Sequence, residues 1–296
     1  MSLAIVTPSY RPDLQRFGRL HRSVLRHTGP DVHHFVLVPG PDVRHFRALE
    51  SRRLTVLCQT DVIPGHFFST AWFSRIPHLP RGYRITSVNL ARPWPPIRGW
   101  IQQQLVKIAF VAALETDVAL MVDSDVVLVR SVEEATFRRA EQVRHYRLPH
   151  GVSPAMHRHL GWRTTSARLL GLGAPSPDFA DYNAGLISWS PRLVRALIDR
   201  IEQQNDGPWA RVLGSQLDLS EYFLYGEYLA SQLVGEEHYY CSTRSLCHSY
   251  WNELTPGSVK SFVGSLAADD VALLVQSNSG TSEAVLDQLI ETLERP

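Results

Sequence analysis

Asp123 and Asp125 stand two residues apart in "ALMVDSDVVLVR", residues 119–130, a run otherwise dominated by Ala, Leu, Met and Val. Such a run normally becomes buried strand, where an unpaired carboxylate is costly or takes up a proton. Two together call for a compensating positive charge, from basic side chains or from a metal ion. In an extended segment residues i and i+2 point to the same side, so both acids can reach one cation, directly or through water. Hard oxygen ligands suit Mg²⁺ or Mn²⁺, ions that keep coordination positions for water and substrate phosphates. The spacing therefore predicts metal-assisted chemistry on a phosphate-bearing substrate. The structural alternative is that the two acids cap the next helix or pair with Arg130.

The elements that must position the pair are legible from periodicity. Residues 4–7, 34–38 and 54–58 read as strands and 13–27 and 43–51 as helices, an alternation that predicts an α/β, Rossmann-like, mostly parallel sheet flanked by helices. Residues 63–96, rich in Pro and aromatics, read as loop; 99–115 reads as a strong helix and 118–122 as a strand that ends at the acids. Ligands of open α/β sheets bind at the carboxyl ends of strands, where residues 7–11, Asp61 and 123–125 fall. With no repeat, low-complexity tract or linker, the expectation is a single domain over 1–296.

Composition narrows the partners. A formal net charge of +1, with Arg and Asp/Glu interspersed, argues against a nucleic-acid groove or an anionic membrane as the main partner. The most apolar stretch, 108–122, is broken by Glu115, Thr116 and Asp117, so no membrane span is expected. The first residues, MSLAIVTPSY, lack the pattern of a secretion signal, and a cytoplasmic location is expected. Cys58, Cys241 and Cys247 are odd in number and lack zinc-site spacing, so reduced thiols buried as small hydrophobes are expected.

Two families place D-x-D after an apolar strand. Haloacid-dehalogenase-like phosphatases use the first Asp as nucleophile, here Asp123, and Lys260 with Asp269 and Asp270 imitates their later motifs. That motif normally opens its domain, whereas here more than a hundred residues of α/β pattern come first. The position resembles the metal-binding GT-A glycosyltransferases. "DYNAGLISWSP", residues 181–191, is similar to the F-N-A-G-V stretch of glycosyltransferase family 8. "CHSYW", residues 247–251, resembles the late histidine of several GT-A metal sites. "TPSYRPD", "RGWIQQQLVK", "DSD", "YNAGL", "SEYFLYGEYL" and "HSYW" together resemble an uncharacterised bacterial group of glycosyltransferase-like proteins.

The resemblance implies a GT-A-like domain, with 1–130 binding a nucleotide sugar and 131–296 shaping the pocket of a small-molecule or glycan acceptor. It implies Mn²⁺ or Mg²⁺ as cofactor, held by Asp123, Asp125 and His248. UDP-sugar is the default donor, and retention of configuration is slightly favoured. Asn183 would contact the donor sugar beside Ala184, with Gly185 allowing close backbone approach. Thr7, Ser9, Tyr10 and Arg11 come directly after the first strand, where GT-A enzymes bind the nucleoside. There Tyr10 could stack on the base and Arg11 approach the phosphates, with Asp61 and Ser124 at neighbouring strand ends; alternatively Pro8 and Pro12 simply make a rigid turn.

On the 99–115 helix, Trp100, Gln103, Gln104 and Lys107 share a face, with Arg98 at its entrance. Lys107 and Arg98 would hold diphosphate or sugar oxygens and the glutamines sugar hydroxyls; the alternative is a solvated polar face. Asp218 and Glu221 resemble the acidic residues beside the acceptor, Glu221 as base and Tyr222 and Trp251 as stacking surfaces. Glu221 could equally belong to a helix cap. The His33-His34 and His157-Arg158-His159 clusters read as surface, the second a candidate lining of an acceptor loop. A non-catalytic sugar-nucleotide binder is the remaining rival.

Overall fold

β1 (Leu3–Pro8) alternates its side chains so that Ala4 and Val6 enter one apolar core while Leu3 and Ile5 enter another. A strand buried on both faces needs helices on both. The computed structural model describes residues 3–64, 67–69, 85–89, 92–231 and 233–294, the side chains of 67–69, 85–89, 92–98 and 294 excepted.

After β1 come α1 (Leu14–His27), β2 (His33–Val38), α2 (Val43–Phe46), β3 (Leu54–Cys58) and α3 (Gln59–Val62). Then β4 (Phe67–Ser69), β5 (Ile85–Asn89) and β6 (Arg92–Arg98) lead into α4 (Gly99–Ala113) and β7 (Val118–Val122). Past the acids lie β8 (Val126–Leu128), α5 (Glu134–Phe137), β9 (Arg138–Arg139), β10 (Gln142–Tyr146), α6 (His157–Leu169) and β11 (Leu186–Trp189). They are followed by α7 (Pro191–Gln204), α8 (Trp209–Gly214) and α9 (Glu221–Ala230). The last elements are β12 (Tyr239–Ser242), β13 (Cys247–Tyr250), α10 (Val259–Gly264), β14 (Ala272–Val275) and α11 (Glu283–Glu294).

The central sheet runs β11-β7-β1-β2-β3, parallel throughout except that β11 is antiparallel to β7. This is the mixed, mostly parallel α/β sheet flanked by helices that the alternation predicts. On one face α4, α7, α8 and α9 pack through Leu105, Leu197, Leu213 and Phe223. On the other, α1 inserts Phe17, Leu20 and Val24. A smaller core joins α10 and α11 to β14 through Phe262, Leu286 and Leu273. Among the described residues no helix is long and apolar enough to cross a membrane.

Three expectations change. The segment read as loop contains the antiparallel strands β4, β5 and β6. Pro93, Pro95 and Pro96 fall on β6, which among the described residues pairs on one side only, an edge position where a missing N–H is tolerated. His34 is fully buried rather than on the surface, because β2 lies inside a sheet covered on both faces. The cysteines are free thiols, but only Cys247 is buried; Cys58 is half-buried and Cys241 exposed.

The buried histidines make stability pH-dependent. His34 Nε2 is hydrogen-bonded to Thr7 Oγ1 at 2.9 Å, and its Nδ1 lies 3.1 Å from Nδ1 of His21. His145 stacks on Tyr182 at 5.5 Å, and neither of its ring nitrogens has a hydrogen-bond partner among the described residues. Burial, reinforced by Arg53, lowers the pKa of His21 to about 4; burial, reinforced by Arg147, lowers that of His145 to about 3. These groups are neutral when folded and protonate near 6.5 when unfolded, so their contribution is complete above pH 6.5 and lost as the pH falls towards 3. Urea midpoints should drop between pH 7 and pH 5, with a shallower drop in His145→Phe. Equal slopes for the two proteins would remove His145 from this account.

Candidate active site

β7 delivers the acids to the carboxyl edge of the sheet, but not as extended chain. Asp123, Ser124 and Asp125 form a tight turn into β8, closed by the Val126 N–H donating to the Asp123 carbonyl at 3.1 Å. The turn, rather than strand periodicity, brings the two carboxylates near each other. Ser124 Oγ donates to Ser9 Oγ at 2.8 Å, tying the turn to the end of β1. The Ser277 N–H, past β14, donates to Asp125 Oδ2 at 3.0 Å. Burial, and then the charge of Asp123, raise the pKa of Asp125 to about 6. Asp13 is raised in the same direction, chiefly by burial, with Asp123 among the charges acting on it.

The compensating charge comes from α4. Lys107 is buried, and its Nζ donates to Glu221 Oε1 and to Tyr222 Oη, both at 2.9 Å, while lying 3.5 Å from Asp123 Oδ1. It also sits 4.6 Å above the Tyr222 ring. Burial alone would favour loss of its proton; Asp123, Glu221 and Tyr222 outweigh it and hold the pKa well above the usual lysine value. Of the two lysines in the chain, Lys260 is exposed, so Lys107 is the one placed against the acids.

This network redraws the polar face of α4. Trp100 Nε1 donates to the Leu219 carbonyl at 3.1 Å and Lys107 reaches Glu221, so the face is directed at the start of α9. Gln104 is 1% exposed and Gln103 half-buried, which excludes a solvated stripe. Glu221 and Tyr222 do not form the open acceptor surface expected of them. Both are buried, because α9 packs on α4 and on the Trp189 ring. Ser220, not Glu221, caps α9, its side chain accepting from the Phe223 N–H.

The described contacts of His248 are with Ser265, Asp270 and Phe262 rather than with the acid pair. Its Nε2 is 2.9 Å from Ser265 Oγ, its Nδ1 3.7 Å from Asp270 Oδ2, and its ring packs on Phe262. Its neighbour Cys247 is buried on the other side of β13, against Gly185, where burial, with the charges of Asp125, Asp270 and Asp123 adding, pushes its thiol up to about 12. Among the described residues no three His, Cys, Asp or Glu side chains gather as a metal site. The two carboxylates still suit Mg²⁺ or Mn²⁺, which commonly use one or two protein carboxylates and fill the remaining positions with water and phosphate.

A family model matches residues 1–262, described as a family of unknown function (DUF6492). The chain belongs to DUF6492. The family span holds the D-x-D turn, Lys107, Glu221 and His248, and ends before β14, so Ser277 lies beyond the matched residues. No curated protein matches the sequence. Among solved structures the DUF6492 chain is similar to a crystal structure of an active-site mutant of LgtC, at 13% identity and a TM-score of 0.46. That alignment covers 99% of this chain and 97% of the other.

The remaining candidates divide. Ser9 and Ser124 meet at the acids. Thr7 is fully buried and bonded to His34, so its hydroxyl does not open on the site. Tyr10 and Arg11 are exposed after β1, with the Arg11 N–H donating to Asp42 Oδ2 at 2.9 Å. Asp61 is exposed on α3, Asp218 is exposed before α9, and Trp251 is 59% exposed after β13. Arg98 ends β6, and its side chain lies outside the described residues. Asn183 and Ala184 are half-buried, the Asn183 N–H donating to Asp181 Oδ1 at 3.0 Å. A Cβ on Gly185 would lie 2.9 Å from both Cys247 Sγ and Leu274 Cδ1, so the approach that this glycine permits is to β13 and β14. Asp13 and Ser277 are not among the residues that sequence reasoning singles out. Asp13 was visible within "TPSYRPD", whereas the Ser277 contact is a backbone N–H that no side-chain pattern marks.

Proposed function

We propose that this protein is a glycosyltransferase of GT-A type that moves a sugar from a nucleotide sugar, UDP-sugar by default, to an acceptor hydroxyl. The observation that carries the reading is the acid turn at the carboxyl end of β7, backed by the buried Lys107–Glu221 pair. The likeness of "YNAGL" to the family 8 segment and the α/β sheet support it.

Asp123 and Asp125 would hold Mn²⁺ or Mg²⁺. When bound, such an ion neutralises charge developing on the departing diphosphate. The protein's own residues supply the rest. Ser277 fixes the direction of Asp125, and the Ser9–Ser124 bond fixes the turn against β1. Lys107, its pKa held well above the usual lysine value, keeps a positive charge beside Asp123, a preorganised contribution that costs no rearrangement as the anomeric bond breaks. Glu221, neutralised by that lysine, acts through it as a positioning residue rather than as the acceptor's base. Tyr10 and Arg11 remain the candidates for the nucleoside side.

The phosphatase reading loses its auxiliary groups: Lys260 is exposed, and Asp269 and Asp270 are engaged by Arg244. A thermal-shift screen of nucleoside diphosphates and nucleotide sugars, with and without Mn²⁺, tests the proposal. One nucleoside diphosphate should raise the melting temperature, more so with metal. Phosphate release from simple phosphate esters without any nucleotide-dependent shift would reject it.

A further inference from the structure

α4 presents an aromatic surface at its first turn, two turns before Lys107. Trp100 is 47% exposed, and its ring lies nearly parallel to that of Trp162 on α6, at 15° with centroids 6.1 Å apart. The guanidinium of Arg158, itself exposed, stands 5.6 Å from the Trp100 ring centre and 5.1 Å from that of Trp162. His159 packs on Trp162 at 4.7 Å, and the Trp162 ring rests in turn on Phe223 of α9. The Trp100 ring is also pinned by its bond to the Leu219 carbonyl, two residues before Glu221. An exposed indole held by Trp162, Arg158 and the Leu219 carbonyl is a rigid platform with little rotamer freedom left to lose on binding.

The residues beyond Trp100 on the same face point to the class of ligand. One turn on, Gln104 is buried, and neither its amide oxygen nor its amide nitrogen has a hydrogen-bond partner among the described residues. A further turn on is Lys107, whose partner Glu221 has its second oxygen, Oε2, buried and likewise without such a partner. Buried polar atoms are normally satisfied, and an amide that needs both a donor and an acceptor is matched by a hydroxyl, which is both. At about 1.5 Å of rise per residue, Trp100 and Lys107 are about 10 Å apart along the helix.

We infer that Trp100, Trp162 and Arg158 form the acceptor subsite and that its ligand is a pyranose, its apolar face on Trp100 and its hydroxyls directed towards Arg158 and Gln104. The inference rests on the glycosyltransferase reading for the word acceptor, and on the geometry alone for the sugar. Trp100 takes the place of Tyr222, which is buried, as the stacking surface. A nucleobase would also stack on an indole, but the nucleoside candidates Tyr10 and Arg11 come after β1, whereas this platform belongs to the helix layer.

The test is quenching of tryptophan fluorescence in the full chain by a panel of neutral and uronic methyl pyranosides, with uridine and adenosine as controls. At least one pyranoside should quench saturably, Trp100→Ala should weaken it by about tenfold, and Trp100→Phe, which keeps a ring, should stay within about threefold of wild type. Arg158→Ala, which leaves the indoles in place, should weaken it too. No saturable quenching by any pyranoside, equal affinity in Trp100→Ala, or stronger quenching by the nucleosides overturns the inference. Nucleoside-diphosphate binding is measured on the same variants and should be unchanged in Trp100→Ala. If diphosphate binding is absent even in wild type while pyranoside binding depends on Trp100, the sugar subsite stands and the transferase reading fails.

Discussion

Lys107→Met should lower unfolding stability by about 3–5 kcal/mol at pH 7, although it replaces a charge with an apolar side chain of similar length. The lysine is buried against Glu221, itself 2% exposed, and lies 3.5 Å from Asp123. Its removal leaves Glu221 ionised without a partner, or forces it to take up a proton, and deprives Tyr222 Oη of its donor. Removing Glu221 as well distinguishes this explanation from lost packing. The double variant Lys107→Met, Glu221→Met should recover much of the loss, since an apolar pair of matched volume is often as stable as a buried ion pair. Urea denaturation of the three proteins at one pH is the measurement. A single-variant loss below about 1 kcal/mol would mean that the pair is not coupled as its geometry implies.

Asp125→Asn should separate stability from function in the opposite sense. Without metal the variant should be more stable than wild type at pH 7, by roughly 1–2 kcal/mol, because the folded protein holds Asp125 at a raised pKa and is penalised for ionising it. The sign comes from linkage: a carboxyl whose folded pKa exceeds its unfolded value contributes stability at low pH that is lost as the pH rises through about 6. An amide oxygen can still accept from Ser277, so the turn should survive. With Mn²⁺ the order should reverse. Nucleoside-diphosphate affinity in the presence of metal should fall by on the order of a hundredfold, since one of only two carboxylate ligands is gone. Isothermal titration with and without Mn²⁺, on wild type and variant, reads both effects. Unchanged metal-dependent affinity in Asp125→Asn and Asp123→Asn alike would falsify the metal proposal.

The alternation that builds the sheet is written in the sequence, since helix and strand periods and the Gly and Pro punctuation are local properties. The positions of β1, β2, β3, β7, α1 and α4 are legible to within a residue or two for that reason. The acid pair is legible as well, because two carboxylates in an apolar run violate the pattern around them. Helical spacing alone puts Trp100, Gln104 and Lys107 on a shared face.

What these residues meet depends on long-range packing. Lys107 and Glu221 are separated by more than a hundred residues, and nothing in the sequence says that α9 packs its first turn on the third turn of α4. A reading of the sequence can therefore assign one to the donor and the other to the acceptor, whereas the fold joins them as a buried pair. His248 looks like a ligand by its neighbours in sequence, whereas the contacts it makes, with Ser265, Asp270 and Phe262, are brought to it by the pairing of β13 with β14. A one-residue difference in that register exchanges His248 for Cys247. Periodicity says that a strand has an inside. Which inside it is, and what waits there, is set by contacts between elements far apart in the chain, and the chemistry of this site lies in such contacts.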